Sequence, residues 1–267
     1  MKKKNALSLL IGLLSVGVLL GGCKVKKDKE DAQAKKDIIG IIGAMDEEVS
    51  SLKGAMTDKT YVTIAGMEFC GGMLDNVPVI VVKCGMGKVN AGICAHTLIN
   101  YFGVSRVINT GVAGSLDAKI DIGDIVVSTD AVQHDFDLTP IGYKRGELDS
   151  PRMIAIPADE DLRKQAVKAV KEEAPEVTAF EGRVCSGDQF IASREQKEAI
   201  ISKFGGLCCE MEGAAIAQTC YLNDTPYVVI RAISDKADDS EEMAYEQFKG
   251  PAAAHCAAII RYMISHQ

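Results

Sequence analysis

Positive charge is in short supply in this sequence: 30 Lys and Arg stand against 37 Asp and Glu, a formal net charge of −7 over 267 residues. Nucleic acid and anionic lipid are polyanions that select basic surfaces, so neither is expected as the main partner. Tryptophan is absent and there are only four His, none in an HxxxH pair, while the nine Cys contain no CxxC. These gaps argue against a metal site, with His134-Asp135-Phe136-Asp137 the one stretch that merits a zinc control. Apart from Cys23, most cysteines lie in apolar segments such as residues 81–84 and 207–209, which reads as small core residues rather than a disulfide framework. With 47% apolar and 25% charged residues, the composition fits neither a disordered chain nor a polytopic membrane protein. A folded body that handles a small molecule is the expectation.

The first 37 residues have a different texture. Lys2, Lys3 and Lys4 precede an uncharged, mostly apolar run over residues 6–20, followed at once by Leu20-Gly21-Gly22-Cys23. Basic start, apolar run and small residues are the ordered parts of a secretory signal, and the run is short of the ~20 residues a spanning helix needs. The last four residues resemble the lipobox of bacterial lipoproteins, in which the Cys is lipidated. Against the alternative of an uncleaved signal anchor, the coincidence of small residues and Cys favours a signal peptide over 1–22, a lipidated Cys23 with a solvated tether over 23–37, and a single domain over 38–267. That places the protein outside the cytoplasm, anchored to the membrane through lipid alone.

From residue 38 onward, short β-rich apolar runs recur at 38–42, 61–64, 78–82, 106–109, 124–128, around 184, and at 227–233. Helical patterns lie between several of them, at 46–53, 88–101, 159–173, 194–204, 211–221 and 241–263. Buried strands alternating with helices predict an α/β fold, a three-layer αβα sandwich around a central mixed β-sheet. Ligands of such sheets collect at the carboxyl ends of the strands.

Four strand exits stand out. Gly43-Ala44-Met45-Asp46-Glu47-Glu48 leads from an apolar strand into three carboxylates, which suit the positive end of a helix dipole whether or not they do chemistry. Cys84-Gly85-Met86-Gly87-Lys88 has the look of a phosphate loop but lacks the GxxxxGK[ST] spacing, so a nucleoside triphosphate is excluded. Asn109-Thr110-Gly111-Val112-Ala113-Gly114 repeats the glycine device, which either lets the backbone approach a ligand closely or is an ordinary strand-to-helix turn. Finally, Glu210 and Glu212 interrupt an apolar segment, and Arg231 and Asp235 bracket the end of an apolar strand. Carboxylates in apolar settings are costly unless paired or functional, so this cluster is either a buried ion pair with Arg231 or a working site.

Together with Ser186-Gly187-Asp188-Gln189-Phe190-Ile191, these segments resemble the ordered motifs of the 5′-methylthioadenosine/S-adenosylhomocysteine nucleosidases of the nucleoside phosphorylase superfamily. The resemblance runs from about residue 38 to the C-terminus and implies hydrolysis of the N-glycosidic bond of adenine nucleosides, 5′-deoxyadenosine included, without a cofactor. By motif position it implies that Asp235 is the acid at adenine N7, Glu48 the base for water, and Glu212 the grip on the ribose hydroxyls. It also implies that Ser234 orients Asp235, that Arg231 fixes the carboxylate cluster, that Phe190 stacks on adenine beside the Ile191 backbone, and that Met45 and Met211 flank the ribose. Val112 stands where relatives often have Ser, and Ile141 where they often have Phe. Residues 138–143, with Ile141 and Tyr143, are expected to complete the 5′ pocket of a neighbouring subunit in a homodimer. The dipole at the start of the first helix is expected to favour ionised Glu48. Apolar surroundings and neighbouring Glu side chains are expected to help Asp235 hold a proton.

Three rivals share the motifs in part: a phosphorylase, an aminodeoxyfutalosine nucleosidase, and a lipoprotein that binds nucleosides without turning them over. A phosphate site needs cationic donors, which Asp46, Glu47 and Glu48 do not offer. A pure binder has no use for an acid and a base on opposite sides of one bond.

Overall fold

Buried β-rich segments of the chain pair into one ten-stranded mixed sheet with helices on both faces, as a computed structural model covering residues 37–237 and 241–266 shows. The N-terminal signal, Cys23 and all but the last residue of the tether lie outside the described residues. In chain order the strands are β1 (Ile39–Gly43), β2 (Thr57–Ile64), β3 (Met67–Leu74), β4 (Val77–Lys83), β5 (Arg106–Ser115), β6 (Ile125–Gln133), β7 (Ala155–Pro157), β8 (Ala179–Ser186), β9 (Cys208–Glu210) and β10 (Tyr227–Asp235). The helices are α1 (Asp46–Ala55), α2 (Lys88–Asn100), α3 (Glu160–Glu173), α4 (Arg194–Phe204), α5 (Gly213–Leu222) and α6 (Glu241–Ser265).

Strands β1, β5 and β10 are almost wholly buried, and β4 is buried over residues 79–82, because they are covered on both faces, which is why they read as near-continuous apolar runs. Alternate residues face opposite layers. Ile39 and Ile41 of β1, with Val228 and Ile230 of β10, pack in the layer of α1, α3 and α6, while Ile42 and Val229 pack in the layer of α2 and α5. The three-layer expectation therefore holds. The sheet also closes at one end, where β5, β10, β6, β8 and β9 form a ring of pairings. Closure draws the carboxyl ends of β1, β5 and β10 together with β9, and that is where the carboxylates gather.

Two local readings differ from the structure. The hairpin partner β3 carries two glycines and a weak alternation, so only its neighbour β2 was legible. Residues 109–114 are not a turn into a helix: β5 continues through Ser115, with Arg231 and Asp235 of β10 opposite Gly111 and Gly114. These glycines serve close approach rather than a bend. A Cβ at Gly111 would lie 2.5 Å from Glu48 Oε1, and one at Gly114 would lie 2.7 Å from Asp235 Oδ1.

Candidate active site

Helix α1 begins where β1 ends, which places Glu48 in the first helical turn with its side chain folded back over the strand exit. Its Oε2 accepts from the backbone N–H of Ala44 (2.6 Å) and Met45 (2.9 Å), and its Oε1 accepts from the N–H of Val112 (3.1 Å). The carboxylate is almost wholly enclosed. Burial raises its pKa above the ordinary glutamate value, outweighing Arg231 and the three N–H donors. The helix dipole therefore does not win, contrary to the sequence expectation, and the result is a carboxylate with stronger proton affinity than an exposed Glu.

On the opposite wall, β9 turns sharply at Met211 into α5 and points two carboxylates inward. Glu212 Oε1 accepts from the Gly87 N–H at the start of α2 (2.8 Å), and its Oε2 is 3.7 Å from the Arg231 guanidinium. Burial first and Glu210 second push the Glu212 carboxyl up to about 7, against the pull of Arg231 and Gly87. Glu210 receives Arg231 directly, together with Ser186 Oγ and the N–H groups of Glu212 and Gly213. Arg231 is fully buried and also donates to Asn109 Oδ1 (2.7 Å). Burial opposes its charge, but the surrounding Glu210, Glu212 and Glu48 outweigh it and strengthen its hold on the proton.

Asp235 closes the third side at the end of β10. Ser234 Oγ donates to its Oδ2 (2.7 Å) and the Ala237 N–H to its Oδ1 (3.0 Å), so both oxygens are held in place. The loop after β8 is fastened to the start of α2: the Lys88 N–H donates to Asp188 (2.8 Å), the Asp188 N–H donates to Asp135 (2.8 Å), and Lys88 Nζ pairs with Asp135 (2.6 Å). That loop carries Phe190, half exposed at the mouth, and Ile191, buried behind it.

These elements enclose a cleft, a concave setting of the kind that takes a small molecule. Glu48, Glu212, Asp235, Met45, Val112, Phe190, Ile191, Met211 and Ser234 all line it, as the motif reading expects. Arg231 lies behind the wall, reaching the cleft only through Glu210 and Glu212. Ile141 and Tyr143 do not line the cleft of their own chain: Ile141 is 70% exposed, and Tyr143 donates to Asp149 beneath Arg152. Sequence reasoning left out Met86, Gln189, Cys209 and Glu210 from the lining. Glu210 had a usable signal, a carboxylate in an apolar strand. The wall it shares with Glu212 became visible only with the turn at Met211.

Among the described residues the lining holds four carboxylates, Glu48, Glu210, Glu212 and Asp235, and no Lys, Arg or His. Four backbone N–H groups at the two glycine-rich strand exits are taken by the protein's own acids, Ala44 and Met45 by Glu48, Gly87 by Glu212 and Lys88 by Asp188. No group of three or more His, Cys, Asp or Glu among the described residues is arranged to hold a metal ion, and Asp135 and Asp137 of the zinc-control stretch pair with Lys88 and Arg145. No disulfide joins the eight buried cysteines of the described residues.

A family model described as the phosphorylase superfamily matches residues 38–265. A 5′-methylthioadenosine/S-adenosylhomocysteine nucleosidase of Staphylococcus carnosus is 42% identical over 229 residues, covering 85% of this chain and 99% of its own. Among solved structures, the nucleosidase of that name from Neisseria meningitidis, in complex with methylthio-immucillin-A, is 32% identical with a TM-score of 0.83, covering 86% of this chain and 100% of its own. A futalosine hydrolase of Helicobacter pylori is 34% identical with a TM-score of 0.82, covering 87% of this chain and 99% of its own.

Proposed function

The chain belongs to the phosphorylase superfamily, among its 5′-methylthioadenosine/S-adenosylhomocysteine nucleosidases, and from that premise we infer that it hydrolyses the N-glycosidic bond of those two nucleosides. The products are adenine and the 5-substituted ribose. Asp235 donates a proton to adenine N7 as the bond from C1′ to N9 breaks and its electron pair moves onto the base. Glu212 grips the ribose 2′- and 3′-hydroxyls, and its charge favours the positive charge that develops on the sugar. Glu48 takes a proton from the water that attacks C1′. Phe190 stacks on adenine, the Ile191 backbone meets the base edge, and Met45 and Met211 pack against the ribose.

The observation that carries hydrolysis over phosphorolysis is the cleft itself, whose wall among the described residues has four carboxylates and no cationic side chain. A phosphate dianion there would meet like charges, which makes water the fitting nucleophile. The test is adenine release from 5′-methylthioadenosine, S-adenosylhomocysteine, 5′-deoxyadenosine and aminodeoxyfutalosine, with and without phosphate. Release at the same rate without phosphate is the expected outcome, and strict phosphate dependence would make this a phosphorylase. Tight binding without turnover would instead point to a binding lipoprotein. The similarity to a futalosine hydrolase supports the same bond cleavage on a nucleoside with a larger 5′ group, which is why aminodeoxyfutalosine belongs in the panel.

The 5′ pocket is completed across a homodimer by the stretch carrying Ile141 and Tyr143. In support, Ile141 is exposed and does not line its own cleft, while Met86, Val89 and Ile93 expose apolar side chains beside the mouth and along α2. Light scattering on the active enzyme is expected to give twice the chain mass, and a fully active monomer would refute this assembly. Lys2 to Lys4, the apolar run over 6–20 and Leu20-Gly21-Gly22-Cys23 support export and lipidation at Cys23. The wild type is therefore expected to incorporate a labelled fatty acid that Cys23→Ala does not. Absence of label in the wild type would rule out the lipid anchor.

A further inference from the structure

Two glutamates, Glu210 and Glu212, stand in the same wall of the cleft two residues apart, and the hydrogen bonds decide which can serve a ribose. Glu210 Oε1 accepts from Ser186 Oγ and from Gly213 N–H (3.0 Å). Its Oε2 accepts from Glu212 N–H (3.1 Å), Gly213 N–H (2.8 Å) and Arg231. A carboxylate offers about four lone-pair sites, so Glu210 has no capacity left for a substrate hydroxyl. Glu212 accepts one hydrogen bond, from Gly87, and stands 3.7 Å from Arg231. The same Ser186 Oγ that donates to Glu210 also accepts from Ala214 N–H (2.7 Å), so the first turn of α5 is fastened at two successive points.

We propose that Glu210 is a positioning residue: by holding Arg231 and the N-terminal turn of α5, it limits the guanidinium to a 3.7 Å approach to Glu212 and leaves the Glu212 carboxylate aimed at the ribose hydroxyls. This rests on the nucleosidase reading for the identity of the ligand, but not for the effect on Glu212 itself. The groups facing Glu212 are Glu210 from β9, Arg231 and Asp235 from β10, and Glu48 from α1. If Glu210 loses its charge, two changes act in one direction. A neighbouring negative charge disappears, and Arg231 is released toward Glu212; both favour the ionised form of Glu212.

The first measurement needs no turnover. Difference infrared spectroscopy follows the Glu212 carboxyl as pH is varied, with the band assigned by its loss in Glu212→Gln. In Glu210→Gln the Glu212 titration is expected to move down by about one pH unit or more relative to the wild type. Glu210→Asp keeps the charge but shortens the arm by one methylene, loosening the hold on Arg231, and is expected to shift the titration the same way by less. It also serves if the Gln variant does not fold. The second measurement is kinetic: kcat on 5′-methylthioadenosine is expected to fall about tenfold to a hundredfold in Glu210→Gln. Affinity for free adenine, which does not touch Glu212, should be unchanged. An unmoved Glu212 titration in both variants overturns the proposal, whatever the rate. A shifted titration in a protein that releases no adenine from any nucleoside leaves the positioning role standing and removes the nucleosidase reading.

Discussion

Asp235→Asn is expected to lower turnover of 5′-methylthioadenosine by about a thousandfold, within the usual range for removing a general acid. The amide keeps the shape of the side chain and retains an oxygen for Ser234 Oγ or Ala237 N–H, so the end of β10 and the ring of strands behind it have no reason to move. What is lost is the proton. Adenine is a poor leaving group unless N7 is protonated as the bond from C1′ to N9 breaks, and an amide N–H can donate a hydrogen bond there without surrendering a proton. The diagnostic is a pair of substrates. An aryl riboside whose leaving group departs readily as an anion needs no acid, so Asp235→Asn should turn it over within about tenfold of the wild type. Equal loss on both substrates would mean that the variant has damaged ribose binding or the fold, and would remove Asp235 from the acid role.

The contrast between Asp235 and Glu210 shows what the sequence carries. Strand β10 is legible as a nine-residue run of apolar or small positions interrupted only by Arg231 and ended by Asp235, because a strand buried on both faces tolerates a charge only where something meets it. Glu48 is legible for a similar reason, as an acid in the first turn after a buried strand. Of the Glu210, Glu212 and Arg231 cluster, the buried ion pair is present, and both acids also line the cleft. Glu210 makes the closer pair with Arg231, and Glu212 stands 3.7 Å away. Spacing alone does not separate them, since residues two apart on a strand share a face. Only the turn at Met211, which makes Glu212 the first residue flanking α5, gives them different partners. Residues 109–114 mislead in the opposite sense. Their glycines resemble a turn, yet they are strand residues kept small because Glu48 and Asp235 press against them from neighbouring elements tens to more than a hundred positions away. Long-range crowding of that kind leaves no local signature. The sheet's closure through β9, a strand of three residues, is illegible on the same grounds.

Glu48→Gln is expected to reduce hydrolysis by about a hundredfold to ten-thousandfold, and its cause can be separated from any structural damage. In the native site three backbone N–H groups, of Ala44, Met45 and Val112, take up three acceptor positions of the carboxylate. About one lone pair remains for the attacking water. In the glutamine variant the amide oxygen can satisfy Ala44 and Met45, but the amide nitrogen then faces the Val112 N–H, a donor against a donor, and has no lone pair to receive a proton from water. The pH dependence of the wild type follows from the same site. The base works only when ionised, and burial raises its pKa above the ordinary glutamate value. Activity is therefore present above that raised pKa and is lost as the pH falls through it, at a higher pH than an exposed glutamate would allow. A nucleophile that needs no base should bypass the defect. Glu48→Ala opens space beside C1′, and added azide is expected to restore cleavage and to give the ribosyl azide in place of the free sugar. Rescue identifies the missing function as activation of water. If azide leaves the variant inactive while adenine still binds, Glu48 supports bond breaking itself, and the water must be activated by another group in the cleft.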